Sequence, residues 1–106
     1  METQIKRIER MERHLDEASS AVREMTAALN HYAAALDGIR ALADYSDGGA
    51  WRADYEADEA GKLPEDLKRG VLSQDALYDL LTDDRAMLGR MAELLEYCWK
   101  EGLTWN

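Results

Sequence analysis

The chain has no phenylalanine, one proline, one cysteine and no long apolar run. Each shortage removes a class of protein. A lone thiol, Cys98, cannot close an intramolecular disulfide, which excludes the stapled frameworks of small secreted domains and leads us to expect a reducing, cytoplasmic setting. The longest apolar run, Tyr32 to Leu36, is far short of the ~20 residues of a membrane span, so no membrane association is expected. The opening METQIKRIERMER is charged on every turn and lacks the apolar block of a signal peptide. Bases are scarce too, with 13 Lys and Arg against 22 Asp and Glu and a net charge of −9. Direct nucleic-acid binding is not expected, because phosphate contacts need clustered Lys and Arg. The acid excess lies in the second part of the chain: residues 1 to 45 carry six bases and eight acids, residues 46 to 106 seven bases and fourteen acids.

What is present is helical periodicity. With Ile8 as heptad position a, the a series is Ile8, Leu15, Val22, Leu29, Leu36 and Ala43, and the d series is Met11, Ala18, Met25, Tyr32 and Ile39. A seam kept over five heptads is the signature of a coiled coil. Pairs such as Glu9–Arg13 at i,i+4 add ~0.3 kcal/mol each. Gly38 costs ~1 kcal/mol of helix propensity, but Ile39 and Leu42 continue the pattern. Some forty helical residues make a rod of ~60 Å, which cannot hide its seam against itself. It needs the C-terminal helix, a second chain, or both.

Tyr45-Ser-Asp-Gly-Gly49 reads as the stop. Ala50 to Ala60 then reads as a short helix, with Gly61 as its left-handed cap and Leu63 folding back. Pro64 suits the first turn of another short helix, in which Glu65 and Asp66, then Lys68 and Arg69, match the helix dipole before Gly70 ends it. Ser73 is an N-cap for the last helix, with Asp75 in its first turn. Its apolar stripe is Leu77, Leu80, Leu81, Leu88, Met91, Leu94, Leu95 and Cys98, and Gly102 caps it. The expected fold is all-α: a long antiparallel helical hairpin, coiled-coil-like, with a folded connector containing two short helices. We expect one domain, with a long helix over 1–45, the connector over 46–73, a second long helix over 74–101 and a tail over 102–106.

The connector concentrates the chemistry. Asp54, Glu56, Asp58 and Glu59 form an acid cluster, with Asp54 and Asp58 one turn apart and Glu59 close to their face. Such oxygens suit a hard cation, and Glu56–Glu59 and Glu93–Glu96 have the spacing that all-helical nucleotide hydrolases use. The alternative is a solvated face neutralised by Lys62, Lys68 and Arg69. Lys68 and Arg69 suit either an anion or that same acid cluster. Trp51 and Tyr55, one turn apart, together with Tyr78, Trp99 and Trp105, either line a partner surface or fill a core that has no phenylalanine. Core packing is the expectation for Trp51, and Trp105 is a candidate to dock on a neighbour. His14 and His31 make no metal spacing with Cys98, which reads as a small buried hydrophobe. Ser73 has no glycine elbow around it, and there is no Gly-rich phosphate loop.

The stretch WRADYEADEAGKLPEDLKRGVLSQDALYDLL resembles the shared segment of a family of small bacterial proteins catalogued as a domain of unknown function, DUF4298. The likeness covers nearly the whole chain. It is most specific at Trp51, Asp54, Asp58, Glu59, Gly61, Lys62, Leu63, Pro64, Asp66 through Ser73, and Tyr78. The resemblance implies a small all-helical protein and supplies no activity, cofactor or partner.

The residues themselves lead us to expect a non-enzymatic, self-associating interaction module, a homo-oligomer built on the first helix, with no cofactor and a protein partner. Its candidate binding face is Trp51, Asp54, Tyr55, Asp58, Glu59, Lys62, Lys68 and Arg69. The alternative is a metal-dependent nucleotide-binding protein or hydrolase with Asp54, Asp58 and Glu59 as metal ligands. A third reading is an acidic mimic of nucleic acid.

Overall fold

A computed structural model describes residues 1–104. The protein is all-α, with no strand among the described residues. Helix α1 spans Gln4–Asp47, α2 spans Gly49–Glu59, a 3₁₀ turn spans Gly70–Leu72 and α3 spans Gln74–Lys100. The chain divides into two units, Met1–Gly38 and the residues from Ile39 onward.

The first unit is helix alone. Thr3 opens it, its hydroxyl accepting from the Lys6 amide at 3.1 Å, as an N-cap does for a free first-turn donor. The ion pair near this end is Arg10–Glu2 at 2.7 Å, not Glu9–Arg13. It holds the Glu2 carboxyl below and the Arg10 guanidinium above their ordinary values. No residue of α1 is fully buried. The seam side chains Ile8, Met11, Leu15, Val22, Met25, Leu29 and Leu36 are 42% to 64% exposed.

The second unit carries the hairpin. The last turns of α1 and the first half of α3 border a common groove, with Ile39, Ala43 and Asp47 on one side and Leu88, Arg85 and Leu81 on the other. Gly38 leaves α1 unbroken, as its pattern predicts. The stop is tighter than the five-residue turn expected over 45–49. The helix runs on to Asp47, bends at Gly48 alone, and α2 begins at Gly49.

Both glycine caps form. Gly61 and Gly102 sit at φ of 70° and 69°, a region that costs other residues the Cβ clash. After α2, the Gly61 amide donates to the Asp58 carbonyl and the Lys62 amide to the Ala57 carbonyl, both at 3.0 Å. After α3, Gly102 donates to Trp99 at 3.2 Å and Leu103 to Cys98 at 2.9 Å. These paired bonds are the Schellman motif, which satisfies carbonyls at the helix end. Ser73 caps α3, its Oγ accepting from the Ala76 amide at 3.3 Å.

The second short helix is displaced from its expected place. Pro64 to Leu67 makes one turn, closed by a 3.3 Å bond from the Leu67 amide to the Pro64 carbonyl, and the helical turn comes later, at Gly70–Leu72. The reason is Arg69. Its guanidinium donates to the carbonyls of Pro64 and Leu67 and to the Asp58 carboxylate. The side-chain fork takes the Leu67 carbonyl and the Asp58 carboxylate and shares the Pro64 carbonyl with the Leu67 amide.

The core is small. Among the described residues only Leu72 and Leu77 are buried, at 8% and 6% exposure. On the α3 stripe Leu81, Met91 and Cys98 are half-buried, while Leu80, Leu88, Leu94 and Leu95 are exposed. Among the aromatics, Trp51 and Tyr55 are half-buried and Tyr78, Tyr97 and Trp99 are exposed. The expectation that aromatics fill the core is corrected accordingly. Trp105 lies outside the described residues.

Candidate functional site: the connector

The connector is joined to the helices by three links, each across a short stretch of sequence. Trp51 stacks on Tyr55, with ring centroids 5.2 Å apart and planes 17° from parallel. Their one-turn spacing on α2 puts the rings on one face. The Trp51 indole N–H donates to the Val71 carbonyl at 3.0 Å, tying the start of α2 to the 3₁₀ turn. That turn in turn packs against α3. An indole ring partly removed from water needs such an acceptor.

Asp54 does not face Lys68 and Arg69. Its carboxylate accepts from the Tyr45 hydroxyl at 2.6 Å. This bond joins the last turn of α1 to α2 across the Gly48 bend. Because the phenol is the donor to a carboxylate, its ionisation is opposed by loss of the bond, by partial desolvation and by the adjacent negative charge. The Tyr45 pKa is raised to about 12.

Asp58 pairs with Arg69 as the charge pattern predicts, and both side chains are partly shielded from water. With the two carbonyl contacts, this one guanidinium pins the loop from Lys62 to Arg69 against the end of α2. The acid cluster is thus divided. Asp54 turns to a tyrosine, Asp58 to an arginine, and Glu59 is exposed without an ion pair. Lys62 and Lys68 are exposed and enter no ion pair. Among the described residues, no three His, Cys, Asp or Glu side chains converge as a group able to hold a metal ion.

The sequence did not single out Tyr45, Val71 or Pro64 as partners. The backbone acceptors carry no side-chain signal. Tyr45 had one: a tyrosine in the last turn before a glycine bend and an aspartate on the first turns after it.

No described helix is long and apolar enough to cross a membrane. No curated protein and no solved structure matches the chain at a significant level. Residues 8–94, which take in most of α1, the whole connector and most of α3, match the family described as Domain of unknown function (DUF4298), and the chain belongs to that family.

Proposed function

We propose that the chain is a non-enzymatic protein-interaction module that self-associates through α1 in a coiled-coil-like manner. One observation carries this reading: seven large apolar side chains at a and d positions, from Ile8 to Leu36, keep 42% to 64% of their surface in water. Contiguous exposed apolar surface of this kind marks an interaction site, and a second α1 offers the matching heptads. The flanking positions agree. From Ser19 to Ala35 they are Ser19, Ala21, Thr26, Ala28, Ala33 and Ala35, small enough for two helices to approach closely. A cytoplasmic setting free of nucleic-acid contacts is part of the same proposal and rests on the lone Cys98 and the acidic charge; the absence of membrane contacts rests on the lack of a long apolar run, and a bacterial source is what the family resemblance implies.

In this reading the connector has two parts. Trp51, Tyr55, Asp54, Asp58 and Arg69 build the unit, since each is engaged within the chain. Glu59, Lys62 and Lys68 face outward and are available to a protein partner. Multi-angle light scattering tests the self-association. The expected result is a dimer or larger at tens of micromolar, reduced to a 12.0 kDa monomer by Leu15→Glu with Met25→Glu. A monomer for the unaltered chain refutes the proposal.

A further inference from the structure

A groove of about 570 Å³ opens in the second unit, between the end of α1, the start of α2 and the first half of α3. It lies apart from the ion pair and turn of the connector and has a different chemistry. Trp51, Leu81 and Tyr78 give it apolar and aromatic walls, while Arg52 from α2 and Arg85 from α3 border it. Asp47 is the acid among its lining residues.

Three features of this groove point the same way. First, the Trp51 ring is held in place. Its N–H is spent on Val71 and Tyr55 covers one face, yet Tyr55 does not line the groove, so the rest of the indole does. A fixed aromatic wall takes a flat ligand without an ordering cost. Second, neither Arg52 nor Arg85 makes a side-chain hydrogen bond or ion pair among the described residues, a state they share with Arg7, Arg13, Arg23 and Arg40, so both guanidinium groups that border the groove are uncommitted. Guanidinium forks recognise planar anions by paired donors and stack on flat π-systems. Third, the two arginines and Asp47 leave the lining with one net positive charge. The volume lies in the range of small-molecule sites, ~300–1,000 Å³.

We propose that this groove binds a small planar organic monoanion, an aromatic or conjugated carboxylate, with its flat body against Trp51 and Tyr78 and its carboxylate between Arg52 and Arg85. Asp47 disfavours polyanions such as nucleoside triphosphates. The proposal does not depend on self-association.

The probe is 2-naphthoate, with 2-naphthamide as its neutral isostere, titrated into the full chain while the Trp indole N–H resonances are followed by NMR. The expected result is saturable one-to-one binding of the naphthoate, at least about fivefold tighter than the amide, since hydrogen bonds to a charged group are stronger than neutral ones even at an open site. Arg52→Gln and Arg85→Gln should each weaken naphthoate about fivefold or more without lowering Tm, and Arg90→Gln should leave it unchanged. Equal binding of acid and amide overturns the proposal, because it shows only apolar adhesion. So does full retention of naphthoate binding by the Arg52→Gln/Arg85→Gln double variant, or no binding at all.

Discussion

Replacing Trp51 by alanine tests whether the connector is an ordered part of the fold. The indole is half-buried, stacked on Tyr55 and bonded to Val71. Large aromatics bury ~150–250 Å² when fully covered, so a half-covered ring removes about 100 Å² from water. At ~25 cal/mol per Å² that contributes about 2.5 kcal/mol. The stack adds ~0.5–1.5 kcal/mol. The hydrogen bond adds up to ~1 kcal/mol, reduced here because water can reach the freed carbonyl. Trp51→Ala should therefore cost ~3–5 kcal/mol, the range of large aromatic truncations in cores. For a unit of this size, that lowers Tm by roughly 12–40 °C. Trp51→Phe keeps most of the ring and loses the donor, so it should cost only ~1 kcal/mol. Urea unfolding followed by circular dichroism measures both. A Trp51→Ala protein with unchanged midpoint would show that the indole does not hold the connector, and would move Trp51 to the role of an exposed anchor.

Arg69→Ala should cost ~1–2 kcal/mol, because a partly exposed pair contributes ~0–1 kcal/mol and the Leu67 carbonyl loses its donor, while the Pro64 carbonyl keeps the Leu67 amide. Arg69→Lys should recover less than half of that, since one ammonium cannot reach three acceptors; full recovery, measured by urea midpoint, would contradict the fork geometry. For Tyr45, folding raises the pKa from 10.0 to about 12, so the contribution of its bond is fully present below pH 10 and is lost as pH rises toward 12. Ultraviolet titration of phenolate should show a late phase that is absent in Tyr45→Phe and shifted to lower pH in Asp54→Asn; a late phase that survives Tyr45→Phe would refute the assignment. The Leu15→Glu/Met25→Glu variant should keep its helical circular dichroism while dissociating; collapse of helicity in the second unit as well would place the seam in the fold rather than at an interface.

The helices were legible because their signals are local. Ser73 with Asp75, Gly61 and Gly102 act within one turn of where they stand, and all three caps form as read. The stretch PEDLKRG shows where locality fails. Its charges fit a helix dipole, an effect of ~0.3–1 kcal/mol per charge at an exposed terminus. Against it stand three contacts from one guanidinium, one of them to a carboxylate, together ~1–2 kcal/mol at a partly exposed site. Those contacts need Asp58 to be held at the end of α2 first, and no window over residues 64 to 70 contains that information. The aromatic expectation failed for another reason. Composition says how many large side chains exist, but burial depends on how many layers enclose them. Two helices and a short connector enclose little more than Leu72 and Leu77.

Sequence separation also sets which parts of the site were readable. Tyr45 and Asp54 are 9 positions apart, Asp58 and Arg69 11, and Trp51 and Val71 20. The shorter two cross a single bend or turn, and a reading that knows where the chain turns places the acid near its partner. Even there the choice was wrong for Asp54. Two donors of different kind, a phenol and a guanidinium, competed for two carboxylates one helical turn apart, and the bend at Gly48 brought the phenol to the nearer one. The groove beside Trp51 lies beyond such reasoning. Arg52 and Arg85 share no local motif and sit on different helices that border one groove, and the 3₁₀ turn at Gly70–Leu72 contacts both α2 and α3. Arg69, the residue that displaced the expected helix, lies outside the groove but is linked to it through this turn and the Trp51–Val71 bond. It holds the loop that leads into that turn, so loosening it should disturb the Trp51 indole resonance as well as stability. An Arg69→Ala protein whose Trp51 N–H signal is unmoved would uncouple the two.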